Sequence, residues 1–410
     1  MSEPMGIRQV RKQMSRMQIA AIEFGTSKIV TIIARSGGID RLEFVGTGTV
    51  PYDGYSDGDW NTPGQMIQRV RDSIAAAELE ANEKIREIYV GVPGEYIRVR
   101  SAEAEIALGD GEITPDDQDA VQDAAAEKLR IAELGGLVLH RSPAWFQVDD
   151  GKKTMEPNGR GSVLRGCTSF VVADNQFIED IKEILGALNI TILGFLSPTL
   201  GESLLMLSIE DRDRVSALID CGYLNTEISI IRGEAIIYHA MLPMGGGQIT
   251  ADLATQLRIP MRAAEQIKRG YVFNPDELDR DAMAEVTDAR GRRLTFPREV
   301  VSQCVERSMD ELCNMIDMTL SNDAEELMGA RSQIYLTGGG ISMMRGAREY
   351  LAEKIGWPVK AAAPKTAKMN SPVYSSALGL LDLTFDSIDR HEDDTESFGS
   401  KLTSFLKKRK

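Results

Sequence analysis

Two stretches of the chain share one order of apolar and polar positions. The first, "IAAIEFGTSKIVTIIARSGGIDRLEFVGTG", has an apolar strand ending in Glu23-x-Gly25, a polar turn Thr26-Ser27-Lys28, a second β-branched strand, a Gly37-Gly38 turn and a third strand. The second, "SALIDCGYLNTEISIIRGEAIIYHAMLPMGGG", repeats it with Asp220-x-Gly222, a polar turn, "EISII", the turn Arg232-Gly233 and "EAIIYHAML". Short apolar runs punctuated by glycine predict hairpin-linked strands. Helical periodicity follows each copy, over Thr62 to Lys84 and Gln248 to Arg269. The repeat predicts two related α/β halves, each presenting a polar turn to a shared cleft.

A third glycine cluster lies in "QIYLTGGGISMMRGAREYLAEKIGWPV", where Ile334 to Leu336 run into Thr337-Gly338-Gly339-Gly340 and a helix carrying Arg345, Arg348 and Leu351 is expected. Glycine lets backbone approach a ligand, and a helix start offers free N–H groups. A tight turn is the plain alternative for such a triplet, as strand capping is for Glu23 and Asp220.

The end of the chain changes character. After Leu381 it turns acidic in "DLTFDSIDRHEDDTE", which reads as a flexible linker over 383–396. It closes in "SFGSKLTSFLKKRK", where Phe398, Leu402, Phe405 and Leu406 share one helical face and Lys401, Lys407, Lys408, Arg409 and Lys410 supply positive charge. That pattern fits a helix lying in a membrane interface; a solvated basic tail and a partner-docking helix are the alternatives.

Composition narrows the function. The 410 residues suffice for two domains with a cleft between them, and the net charge of -15 argues against nucleic acid as a partner. Four scattered cysteines and three distant histidines form no disulfide, zinc or triad pattern. No segment has a signal peptide's apolar run or a membrane span's length, so an intracellular protein with reduced thiols is expected.

Taken together, these motifs resemble the actin-like ATPases, and among them the FtsA family of bacterial cell-division proteins, over nearly the whole chain after Met17. "IEFGTSK" looks like the family's first phosphate motif, with Glu23 in place of the commoner Asp. "MGGGQITADLATQLRIPMRAAEQIKRGY" is similar to the segment facing the adenosine, "TGGGISMMRG" to the adenosine motif and "YSSALGLL" to the closing interdomain helix. "VPGEYIRVRSAEAEIA" through "LHRSPAWFQVDD" resembles the extra subdomain that sets FtsA and the pilus-assembly protein PilM apart from actin and MreB.

The resemblance implies an α/β actin-like fold, two duplicated ribonuclease-H-like halves around a nucleotide cleft with an FtsA-type extra subdomain. Its divisions would be a basic extension 1–17, subdomain 1A over 18–92 and 174–214, 1C over 93–173, 2A over 215–247 and 331–382, 2B over 248–330, the linker 383–396 and a membrane-targeting helix 397–410. It implies ATP contacts from Gly25, Thr26, Ser27 and Lys28, from Asp220, Gly222, Asn225 and Thr226, from Gly245, Gly246, Glu265 and Lys268, and from Gly338, Gly339, Gly340 and Ser342. Glu23 and Asp220 would hold Mg²⁺ through water. The implied partners are the C-terminal tail of the tubulin-like protein FtsZ, further copies of the chain in filaments, other division proteins and anionic lipids on the cytoplasmic face of the cell membrane at the division site. A PilM-like pilus platform and an actin-fold kinase or ATPase are the competing readings.

One loop departs from the family pattern. FtsA proteins read Asp-x-Gly-Gly-Gly-Thr-Thr where this chain keeps Asp220, Gly222 and Thr226 but carries Tyr223, Leu224 and Asn225. PilM proteins resemble this shortened form. Nucleotide binding with slow or absent hydrolysis is expected.

Overall fold

The computed structural model describes residues 18–36, 42–56, 58–109, 112–273, 283–287, 291–366 and 368–393. The extension 1–17 and the terminal segment 397–410, with Phe398, Lys401, Leu402, Phe405, Leu406, Lys407, Lys408 and Arg409, lie outside the described residues.

The first half starts with β1 (Gln18–Phe24), β2 (Lys28–Ser36) and β3 (Leu42–Pro51), an antiparallel run in which Glu23 faces Val30. A small hairpin, β4 (Tyr55–Ser56) with β5 (Asp59–Trp60), leads into helix α1 (Pro63–Ala81). Strand β6 (Glu87–Gly91) then joins β1 in parallel. The chain departs into β7 (Ile97–Ala107), α2 (Pro115–Lys128), β8 (Leu137–Val148) and β9 (Val163–Ala173) before α3 (Asn175–Ala187) and β10 (Thr191–Leu196) complete the sheet. Its order is β10-β6-β1-β2-β3.

After α4 (Pro198–Met206) and the short α5 (Ile209–Asp213), the second half repeats this plan. Strands β11 (Ser216–Cys221), β12 (Thr226–Arg232) and β13 (Ala235–Leu242) form the antiparallel run. Helices α6 (Gly246–Leu257) and α7 (Met261–Gly270), the hairpin β14 (Met283–Thr287) with β15 (Arg293–Pro297), and α8 (Arg298–Asn322) follow. Then come β16 (Gln333–Thr337), α9 (Ala347–Ile355), β17 (Val359–Ala361) and α10 (Ser375–Asp393). The order β13-β12-β11-β16-β17 matches the first sheet strand for strand. The repeat seen in the sequence is therefore a repeat of topology. Parallel neighbours need crossover helices, which cover the sheet faces and explain why β1 and β11 are apolar on both sides.

Three expectations need correction. The helix expected over Gln248 to Arg269 is two helices, because Arg258 adopts a left-handed φ of 54° and Pro260 cannot occupy a helix interior. The glycine triplet does not open a helix: α9 starts at Ala347, behind a left-handed Gly346, so Arg345 precedes it. The acidic stretch 383–396 is not a linker at its start. Helix α10 continues to Asp393 because Leu383 extends the stripe of Leu380 and Leu381, and Leu383 and Thr384 are buried.

Helices α4 and α10 cross with almost no separation. A Cβ on Gly201 would lie 2.2 Å from the carbonyl oxygen of Gly379, so only glycine fits there. The segment from β7 to β9 forms its own antiparallel sheet, β7-β9-β8, whose α2 starts at the capping box of Thr114 and Asp117. That sheet lies against β13 of the second half: Ser101 Oγ donates to the Ile237 carbonyl at 3.3 Å, and the Glu234 amide to the Pro143 carbonyl at 3.2 Å.

Candidate functional site

The two matched hairpins meet at their acidic ends. Glu23 and Asp220 each lie one residue before the end of their strand, β1 and β11, and both line a cavity of about 70 Å³ together with Thr26, Thr199, Glu227 and Ser376. The cavity is far smaller than the several hundred Å³ of a usual small-molecule pocket. It has room for an ion with a few waters.

Its electrostatics follow from burial. Glu23 is 8 % exposed, and loss of solvent pushes its carboxyl up to about 7, with Lys28 opposing and Asp220 adding to the shift. Burial likewise raises Asp220 to about 6, with Glu227 adding to it. Glu202 of α4, 1 % exposed, is held well above the carboxylate range by burial and by Asp220. Ser376 Oγ lies 3.1 Å from Glu202 and 3.2 Å from Asp220, tying α10 to both acids. Glu227 receives Thr199 Oγ1 and stands against His239 Nε2, each at 2.6 Å.

Sequence reasoning missed Glu202, Glu227, Thr199, His239 and Ser376. Only Glu227 carried a signal, as an acid seven positions after Asp220 on the inward face of a strand. Among the described residues no cluster of three or more His, Cys, Asp or Glu is arranged to hold a metal directly.

The polar turns pair with each other across the cleft. Thr26 Oγ1 accepts from two successive amides, Tyr223 N at 3.2 Å and Leu224 N at 3.1 Å. Successive amides converging on one oxygen form an anion-binding nest, here closed by a hydroxyl. Asn225 Nδ2 donates to Glu95 at 3.1 Å, and Lys28 Nζ to the Val373 carbonyl at 2.6 Å, above the Tyr374 ring. Burial lowers the Lys28 ammonium from its ordinary value. Thr226 is fully buried and donates to the Met244 carbonyl at 2.7 Å. Ser27 follows Thr26 in the first turn.

Glycines explain how the second half packs so tightly around Asp220. Gly338 has φ +85°, and a Cβ there would lie 2.0 Å from Asp220 Oδ1. A Cβ on Gly340 would lie 2.2 Å from the Gly222 carbonyl, and one on Gly246 would lie 2.3 Å from the Gly340 carbonyl. The Gly340 amide donates to the Cys221 carbonyl at 2.7 Å and the Gly246 amide to the Gly222 carbonyl at 3.0 Å. Gly339 faces Val373, Gly245 lies against the Gly222 and Tyr223 carbonyls, and Ser342 Oγ donates to the Gly338 carbonyl.

Glu265 and Lys268 lie on α7, outside the cavity. Lys268 is buried and donates to the Gly246 carbonyl at 2.9 Å while pairing with Glu265 at 2.9 Å. Burial works against the Glu265 charge, but Lys268, Thr250 and Arg269 outweigh it and lower its carboxyl. The Tyr223 ring lies 5.9 Å from the Lys268 ammonium and packs on Gly247, where a Cβ would meet the ring at 3.0 Å.

Residues 217–379 match the family profile described as "Cell division protein FtsA". The chain is 29% identical over 378 residues to the cell division protein FtsA of Pseudomonas aeruginosa, covering 90% of this chain and 89% of that one. It is 23% identical over 420 residues to the FtsA of Escherichia coli, covering 97% and 99%. Among solved structures it is similar to the PilM-PilN type IV pilus biogenesis complex, with a TM-score of 0.59, 17% identity and coverage of 90% of this chain and 98% of that one. It is also similar to MreB5 of Spiroplasma citri bound to ADP, with a TM-score of 0.54, 11% identity and coverage of 93% and 99%. The structural likenesses establish the actin-like fold, and the family profile over its second half and the curated relatives along the chain show that this protein is similar to the FtsA cell-division proteins.

Proposed function

We propose that the protein binds ATP with Mg²⁺ in the cleft between its halves, assembles with copies of itself, and tethers FtsZ to the cytoplasmic face of the membrane at the division site through residues 397–410. One observation carries the nucleotide part: Glu23 and Asp220, from two halves of identical topology, converge on one cavity with Thr26 and Gly222. The donor set fits a hydrated dication, because acids held near 7 and 6 by burial gain most when a cation enters and takes the place of their protons. Bound Mg²⁺ would neutralise phosphate charge, and Lys28 would add a point charge beside it. Thr26 and the amides of Tyr223 and Leu224 would supply donors. Nucleotide acts here as a switch for assembly, with slow or no turnover.

The membrane part rests on the terminal sequence. No helix of the described residues is long and apolar enough to cross a bilayer, whereas Phe398, Leu402, Phe405 and Leu406 with the adjacent lysines suit a helix lying in its interface. Each buried large apolar side chain contributes about 1.5–3 kcal/mol and each basic residue about 1 kcal/mol before ordering costs, so one tail binds reversibly and a filament of tails binds firmly. Deleting residues 397–410 should abolish co-sedimentation with anionic liposomes while leaving ATP affinity, read by calorimetry, within about twofold of the full chain. Equal co-sedimentation of the two proteins would remove the tether from this reading.

A further inference from the structure

Tyr223 stands where the family pattern has glycine, and its ring has a definite seat. It packs on Gly247 at the start of α6, lies 5.9 Å from the Lys268 ammonium, and is half-buried beside Glu265. Glu265 and Lys268 are the residues that would face the nucleoside in the reading above. None of these four residues lines the cavity, which is confined to the end formed by Glu23, Asp220 and Thr26. The ring therefore packs beside α6 and α7, apart from the cavity at the acidic end.

We infer that the Tyr223 ring occupies the nucleoside end of the site and sets its ligand preference, admitting a phosphate chain with its metal ahead of a complete nucleotide. The inference rests on the nucleotide reading and adds which part of the ligand is disfavoured. Gly247 permits the arrangement, since any side chain there would displace the ring. Lys268 and the Gly247 contact hold the ring in place, so a nucleoside must move it. A ligand that binds only an open minority of molecules loses apparent affinity in proportion to that minority. The same ring leaves the backbone amide of Tyr223 on Thr26 Oγ1 untouched.

Calorimetric titration of the full chain with Mg-ATP, Mg-ADP and Mg-tripolyphosphate tests this, using wild type, Tyr223→Ala and Tyr223→Phe. Expected are an ATP and ADP affinity raised about tenfold or more in Tyr223→Ala, an unchanged tripolyphosphate affinity, and wild-type behaviour in Tyr223→Phe. Wild type alone should bind tripolyphosphate at least as tightly as ATP, a result that needs no variant to fold. The inference is overturned by weaker ATP binding in Tyr223→Ala, which would make the ring a stacking platform. Unchanged ATP binding, or an equal gain for tripolyphosphate, overturns it as well. If wild type binds ATP tightly and Tyr223→Ala does so equally, only the role of Tyr223 falls. If no protein binds any of the three ligands, the nucleotide reading falls with it.

Discussion

The two hairpin ends are copies that have parted company. In the first, Gly25, Thr26 and Ser27 make a tight turn that Gly54 approaches from one side, while a Cβ on Gly25 itself would sit 3.4 Å from its nearest neighbours, an ordinary contact. In the second, the wider turn from Gly222 to Asn225 is wedged between two glycine segments at distances no side chain tolerates. Register separates them further. Glu23 faces Val30, whereas Asp220 faces Glu227, so the second copy carries two acids where the first pairs one acid with Lys28 nearby. The first end is thus a source of side-chain groups, and the second a rigid backbone cradle that receives them.

The largest expected effect tests that contrast. Gly338→Ala forces a Cβ into Asp220 at a left-handed φ and should cost about 4 kcal/mol, while Gly25→Ala should cost less than about 1 kcal/mol in denaturant unfolding. Equal losses would break the distinction between Gly25, which has room for a side chain, and the glycines packed around Asp220.

Titration offers a second test. Glu23 is held near 7 when folded and returns to about 4.5 when unfolded, so its stability contribution is full below the unfolded value and is lost as pH rises through the folded one. Such a shift corresponds to about 3 kcal/mol, so Glu23→Gln should unfold at higher denaturant than wild type at pH 8 and at nearly the same denaturant at pH 5. The remaining decline in Glu23→Gln should end nearer pH 6, where Asp220 titrates. A variant curve parallel to wild type would show that Glu23 is not the acid responsible.

The smallest effect concerns the bond between the copies. Thr26→Val keeps shape but leaves the Tyr223 and Leu224 amides without their acceptor, an expected loss of about 2 kcal/mol, against under about 0.5 kcal/mol for Ser27→Ala. Hydrogen exchange at the two amides should quicken in the Thr26 variant alone.

Much of this was legible in the chain. The three strands that open each half, the acids at the hairpin ends and the glycine triplets follow from short apolar runs and turn residues, which are local signals. The break at Arg258 and Pro260 was also visible, and the single-helix reading overrode a proline that should have ended it. Glu202 gave no signal, because on α4 it reads as one more helical acid. Its burial comes from α10, which Ser375 and Ser376 bring in from far along the chain.

By itself the sequence determined the duplicated α/β plan, the two acids and the departure at Tyr223, since each depends on neighbours within a few residues. Only the tertiary structure decided that the two turns satisfy each other, that a hydroxyl closes the nest of amides, that burial raises both acids, and that the Tyr223 ring packs on Gly247 beside Lys268. These depend on burial and on distances between halves, and a hydrogen bond of 3 Å or a carboxyl cut off from water exists only once the two copies are packed together.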